Sequence, residues 1–261
     1  PLSSRKTVHK LGLFYYSFGN YSNRSLLRNI HLAAIATSEI IALYKVTTIL
    51  QYIVDDIKKL ESGHEIMLSN GNTISIYGSI AAIAADNPAS CSMGGFKESA
   101  AAYSGCRHCM ATDFALKASK KYGINRYSPL LELKHFDICG GLVPDIMHDV
   151  LEGRIPKKNL DNLDLISEHH SNFMTLYPQQ SVTPKMHYMV HMPRLIKCYG
   201  PLSQLWTMRF EAKHQYFKKL TQRTLNYINL PKTLSERHQF IQIYYLLSPL
   251  PAFEIGPVLS S

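Results

Sequence analysis

Cys106-Arg107-His108-Cys109 is the densest piece of chemistry in the sequence. Two thiols at CxxC spacing on a loop preceded by glycine can turn onto one ion, so the motif reads as half of a zinc site. The other half must come from elsewhere in the chain. His187 and His191 stand at i and i+4, which puts both imidazoles on one face of a helix. His135 and Cys139 share that spacing and lie nearer in sequence, and they would close a compact set of Cys106, Cys109, His135 and Cys139. Spacing alone does not choose between the two sets.

Two acids form a second group. Asp86 follows a long apolar run, and Glu211 lies on a helix that follows Pro201. Carboxylates brought together by a fold can hold divalent metal ions for phosphoryl transfer. A third group, Asp145-Ile146-Met147-His148-Asp149, places a histidine between acids, as a metal ligand or a hydrogen-bonded brace would be. Acids favoured at a helix N-terminus would give the same pattern. There is no glycine-rich phosphate loop and no GxSxG.

The 261 residues carry 28 Lys+Arg against 19 Asp+Glu, a formal charge of +9, with 12 histidines beside them. That balance suits an anionic partner, nucleic acid first. Arg194 and Lys197 precede Glu211, and Lys213, Lys218, Lys219 and Arg223 follow it, so these six cations could track phosphates. The length fits one large domain or two small ones, and 46% hydrophobic residues can fill a core. No run is long and apolar enough to span a membrane. Five cysteines are too few for a disulfide scaffold, which points to a reducing, intracellular compartment. The sequence opens on Pro1 with a polar, basic stretch, so a processed N-terminus or a fragment is expected rather than a signal peptide.

The elements that must position these residues are partly legible. Residues 11–18 (LGLFYYSF) read as a strand ending at the turn pair Gly19-Asn20. Ser22 or Asn23 can cap a helix, and helical spacing continues toward Leu60 with a break expected near residues 45–48. Ser62-Gly63 stops it. Asn70-Gly71 between apolar runs predicts a hairpin, and the second run becomes continuously apolar from Ile80 to Ala85, as a buried strand does. Residues 87–150 read as loop-rich, 165–176 as a helix, 186–192 as a short apolar stretch, and 205–220 as a helix with Phe210, Phe217 and Leu220 on its apolar side. The proline-containing tail from residue 248 reads as loose.

Seven segments together resemble, in order, segments of transposases of the CACTA (En/Spm) type, in the version found in animal genomes. They are HKLGLFYYSFGN (9–20), DDIKKLESG (55–63), ADNPASCSMGGFKES (85–99), CRHC (106–109), VPDIMHDVLEG (143–153), TPKMHYMVHMP (183–193) and GPLSQLWTMRFEAKHQYFKK (200–219). Such enzymes resemble the catalytic subunit of the vertebrate V(D)J recombinase in their core. The resemblance implies an α/β fold: an RNase H-like mixed sheet with flanking helices, interrupted by a zinc-bearing, loop-rich and helical insertion. It divides the chain into a core part over 1–86, a shortened insertion over 87–193, a helical core part over 194–247 and the tail over 248–261.

By the same resemblance, Asp86 matches the second acid of an Asp, Asp, Glu site that binds two Mg²⁺, and Glu211 the third. Cys106 and Cys109 match one zinc half-site, and His187 and His191 the other. Asp86 precedes Cys106 by 20 residues and Glu211 follows His191 by 20, so one zinc would fix both acids relative to each other. The chain departs from the family at four places. The first acid's counterpart precedes the segment matching residues 1–10. Cys91 stands where a histidine is often found, Met186 stands where relatives often carry another histidine, and the stretch between Gly153 and Leu165 is much shorter than the family's helical insertion. The expectation is a fragment or a decayed or domesticated descendant of a cut-and-paste DNA transposase, inactive as given. A non-catalytic DNA-binding or protein-interaction module derived from one is the alternative. The expected setting is the nucleus, with DNA as partner, no membrane, and room for a homo-oligomer.

Overall fold

The computed structural model describes residues 10–21, 23, 24, 26–96, 106–109, 126–145, 163–180, 183–200, 207–224 and 228–247. It divides into two compact units, Pro1–Val46 with Met208–Ser261, and Thr47–Thr207. The expected loose tail lies outside the described residues.

The first unit is built on an antiparallel strand pair. β1 (Leu11–Tyr16) runs against β2 (His31–Thr37), with Leu11 opposite Thr37 and an irregularity between Phe14 and Tyr15. The segment after Asn23 was expected to be helical. It forms a single 3₁₀ turn at Leu27–Asn29 and then β2. The five-residue apolar run Leu32–Ala36 satisfies either period, and pairing with β1 decides for the strand. α7 (Met208–Thr224) and α8 (Leu230–Leu247) cover this pair. Phe217, Leu230 and Leu234 make the core, against Leu11, Leu13, Leu32 and Ile35.

α1 (Ser38–Ser62) carries a kink at Lys45, whose φ of 66° and ψ of 160° are not helical. The kink falls where the β-branched Val46-Thr47-Thr48 predicted a break, and the division between units falls there too. Gly63, at φ 91°, ends the helix.

In the second unit, β3 (His64–Met67) and β4 (Thr73–Ile76) form the hairpin expected from Asn70-Gly71, with His64 opposite Ile76. The apolar run to Ala85 forms only a two-residue strand, β5 (Ile83–Ala84), parallel to β6 (Leu142–Val143). Among the described residues, the strands make three separate two-stranded sheets rather than one mixed sheet. α2 (Asn87–Gly94) follows β5, and α3 (Ile138–Gly141) precedes β6. α4 (Leu163–Leu176), α5 (Pro184–Met189) and α6 (Met192–Tyr199) bring Ile166, Met189, Met192 and Leu195 onto Val143 in one cluster. Gly95 caps α2 at φ 72°, and a Cβ there would collide with the Arg126 carbonyl. Arg126 N donates to Gly95 O at 3.0 Å, so close backbone approach makes glycine necessary.

Candidate metal centre

Cys106, Cys109, His187 and His191 converge, with all four donor atoms within 4.8 Å of one another and all four side chains buried. Local sequence explains the histidine half. Thr183 Oγ1 accepts from Met186 N at 3.4 Å, and Pro184 opens α5, so the helix starts at a fixed point and carries His187 inward. Tight i→i+3 bonds, Val190 N to His187 O at 3.1 Å and His191 N to Tyr188 O at 3.0 Å, then bring His191 round beneath it. On the cysteine half, His108 N donates to Cys106 Sγ at 3.4 Å, which folds the knuckle.

The donor distances suit one tetrahedral ion. His187 Nε2 and His191 Nε2 are 3.3 Å apart, Cys109 Sγ is 3.3 Å from His187 Nε2, and Cys106 Sγ is 3.4 Å from His191 Nε2. Zinc at about 2.3 Å from sulfur and about 2.0 Å from nitrogen sets N···N edges of about 3.3 Å and S···N edges of about 3.5 Å. The rings turn their Nε2 atoms toward one another, as two ligands of a shared cation must. Without a cation, the Cys106 thiol is pushed far above its usual pKa, first by its hydrogen bond with Cys109 and then by burial. A divalent ion reverses that preference, because two thiolates and one Zn²⁺ sum to zero charge. These residues can therefore hold a metal such as zinc.

Buried polar side chains surround the ligands. His108 Nδ1 donates to Cys139 O at 2.7 Å, and its ring lies 5.2 Å from that of His191. Arg107 is wholly buried: its Nε donates to Leu142 O at 3.0 Å, its Nη1 donates to Asn87 Oδ1, and its guanidinium carbon lies 4.9 Å from the centre of the Tyr188 ring. His170, on α4, is buried too, and the His187 charge is among the causes that lower its pKa, after burial and His169.

The alternative pair does not join. His135 is exposed, and its backbone N donates to Glu61 Oε1 at 3.1 Å. Cys139 is buried apart from the cluster, its thiol pushed up to about 12 by burial and the Asp137 charge. What distinguishes the two sets is the close packing of α5 against the knuckle, through Tyr188 on Cys106 and Cys109.

The acids lie in different units. Asp86 is exposed and caps α2, its Oδ1 accepting from Ala89 N at 2.8 Å. Glu211 is exposed in the first turn of α7. Asp145 is buried, and its carboxylate accepts from the Thr207 backbone N at 3.4 Å and from the Thr207 hydroxyl. His148 and Asp149 lie outside the described residues. Because Ala84 pairs with Val143, Asp86 and Asp145 each stand two residues beyond the paired positions, at the same end of two parallel strands.

Of the six cations, Arg194, Lys197, Lys218, Lys219 and Arg223 are exposed. Lys213 corrects the expectation. It is only 4% exposed and its Nζ donates to Leu27 O at 2.9 Å, because it projects from the face of α7 that packs on the strand pair. The sequence reading did not anticipate Arg107 and Asn87 as partners; nothing in their spacing signals it.

No known family model, curated protein or solved structure matches this chain. No helix among the described residues is long and apolar enough to cross a membrane.

Proposed function

We propose that this chain derives from a DNA transposase of the CACTA (En/Spm) class, with its Cys106, Cys109, His187 and His191 centre serving as the structural zinc of the insertion in an RNase H-like core. The observation that carries the reading is the convergence of two half-sites 78 to 85 residues apart in sequence into one buried donor set. The resemblance pairs these same four residues, and the rival pair does not join them. Zinc there would clamp the ends of a loop-rich segment whose own apolar core is small.

Asp86 and Glu211 are the two acids this reading assigns to the reaction centre. In such enzymes divalent metal ions polarise the scissile phosphate and activate the attacking oxygen. Residues 1–261 hold counterparts of two acids of the three, so we expect this stretch to bind DNA without cleaving it. Removing one preorganised charge-stabilising group typically costs about 10²–10³ in rate, and a lost metal ligand costs more. The net charge of +9 and the exposed cations of α6 and α7 favour a binding role in the nucleus.

The test is binding of duplex DNA to the zinc-loaded chain across a salt series, with Mg²⁺-dependent nicking assayed in parallel. The reading expects affinity to fall steeply with salt, and the slope to drop by about one for each phosphate-contacting cation removed among Lys218, Lys219 and Arg223. Salt-independent binding would overturn the DNA reading. Strong nicking abolished by Asp86→Ala would overturn the non-cleaving assignment.

A further inference from the structure

Within the first unit, a group of polar side chains is buried where α7 and α8 cover the strand pair. Lys213 comes from α7, His238 and Gln242 from α8, His31 from β2 and Tyr15 from β1. Both ring nitrogens of His238 are buried without a hydrogen-bond partner, although the side chain is only 3% exposed. His31 and Gln242 are hydrogen-bonded to each other beside it. A histidine with neither nitrogen paired, next to a buried lysine, is costly and points to a missing partner.

We propose that Lys213, His238, His31 and Gln242 form a binding site for a small oxyanion of the phosphate class. The chemistry of the group selects the ligand. Lys213 Nζ spends one of its three N–H bonds on Leu27 O and keeps two. The Gln242 amide and the imidazoles are able to donate. No carboxylate among the described residues pairs with Lys213, His31 or His238. The ammonium is thus buried without a counter-charge, under the ring of Tyr216 at 5.6 Å.

A metal ion does not fit the same place. Burial first, and then repulsion from Lys213, holds His238 down at about 4, while His31 is lowered by burial and by Lys213 against a hydrogen bond to Gln242. The Lys213 ammonium that bears on both rings repels a metal cation as well. The remaining ionisable neighbours, Arg237 and Tyr245, act on Tyr216 and add no negative charge at neutral pH. His31 and Gln242 are half-buried, beside the buried Lys213 and His238.

The experiment is an imidazole ¹H–¹⁵N titration of the full zinc-loaded chain with inorganic phosphate, in chloride buffer at constant ionic strength. The His238 and His31 signals are expected to shift saturably, with their titration midpoints raised. Sulfate should act alike and added chloride should not. Lys213→Met should abolish the response and Lys59→Met, at an exposed lysine of the other unit, should leave it intact. If Lys213→Met does not fold, Gln242→Leu should weaken phosphate binding about tenfold. A short single-stranded oligonucleotide titrated alongside separates a free oxyanion from a backbone phosphodiester, according to which titrant moves both rings. The proposal is overturned if the two histidines fail to respond together, if phosphate and chloride act alike, or if the response survives both variants.

Discussion

Arg107 Nη1 donates to Asn87 Oδ1, and so ties one of the two residues between the Cys106 and Cys109 thiols to the residue that follows Asp86. The same guanidinium donates through Nε to the last but one residue of the β6 strand, Leu142 O, at 3.0 Å. One buried side chain therefore joins the Cys106–Cys109 knuckle, the start of α2 and the parallel strand pair. Through it, the residue that follows Asp86 is hydrogen-bonded to the loop that carries the two thiols.

The strength of this contact is measurable. Asn87→Leu leaves Nη1 of the buried Arg107 without its acceptor and should cost about 1–3 kcal/mol. Arg107→Met removes the charge as well as the bond. The double variant should cost less than the two singles combined, by about 0.5–3 kcal/mol. Urea midpoints with zinc in excess test this, and strict additivity would show that the contact carries no coupling.

Asp86 has a structural role separate from any reaction. Asp86→Ala should lose the α2 cap at about 1 kcal/mol, while Asp86→Asn keeps an accepting oxygen and should cost a few tenths. Equal destabilisation by the two variants would mean that the carboxylate charge, and not the cap, is what matters.

Stability in phosphate-free buffer should fall on acidification. The folded His238 is held at about 4, below its ordinary 6.5, because burial and Lys213 disfavour its charged form. Between these values the unfolded chain binds more protons, so the contribution is complete above about pH 6.5 and is lost as pH falls toward 4. A shift of this size corresponds to at most about 3.4 kcal/mol. Lys213, lowered to about 8 by burial, has the same sign at higher pH, so stability should rise again between about pH 8 and 10.5. His238→Phe should flatten the acid limb of a melting-temperature profile, and an unchanged limb would assign it to other groups.

Metal uptake should release protons. The apo Cys106 thiol is strongly disposed to remain protonated, so zinc must displace protons from both cysteines. Calorimetric titration in buffers of different ionisation enthalpy should report roughly two protons per ion at neutral pH. Release of none would mean that the thiols are not the ligands.

The motifs were easier to read from the sequence than the layout around them. CxxC, the His187/His191 spacing, the Asn70-Gly71 hairpin and the break near Lys45 are local signals, and each corresponds to a local geometry. The choice between His187/His191 and His135/Cys139 depends on which segment packs on the knuckle, and spacing holds no record of that. β2 was misread because HLAAIAT fits a helical period and only its pairing with β1 excludes a helix. Lys213 looks like its exposed neighbours Lys218 and Lys219, and only the packing of α7 on the strand pair buries it.

The central claim is that two cysteines and two histidines from distant segments bind one ion. Zinc K-edge X-ray absorption, with metal content, tests it most directly on the purified full chain. The expected result is one zinc per chain with two sulfur ligands at about 2.3 Å and two nitrogen ligands at about 2.0 Å. Cys109→Ser and His191→Ala should each release the ion and His135→Ala should retain it. A zinc-free protein, a three-sulfur shell, or metal lost only with His135→Ala would contradict the account.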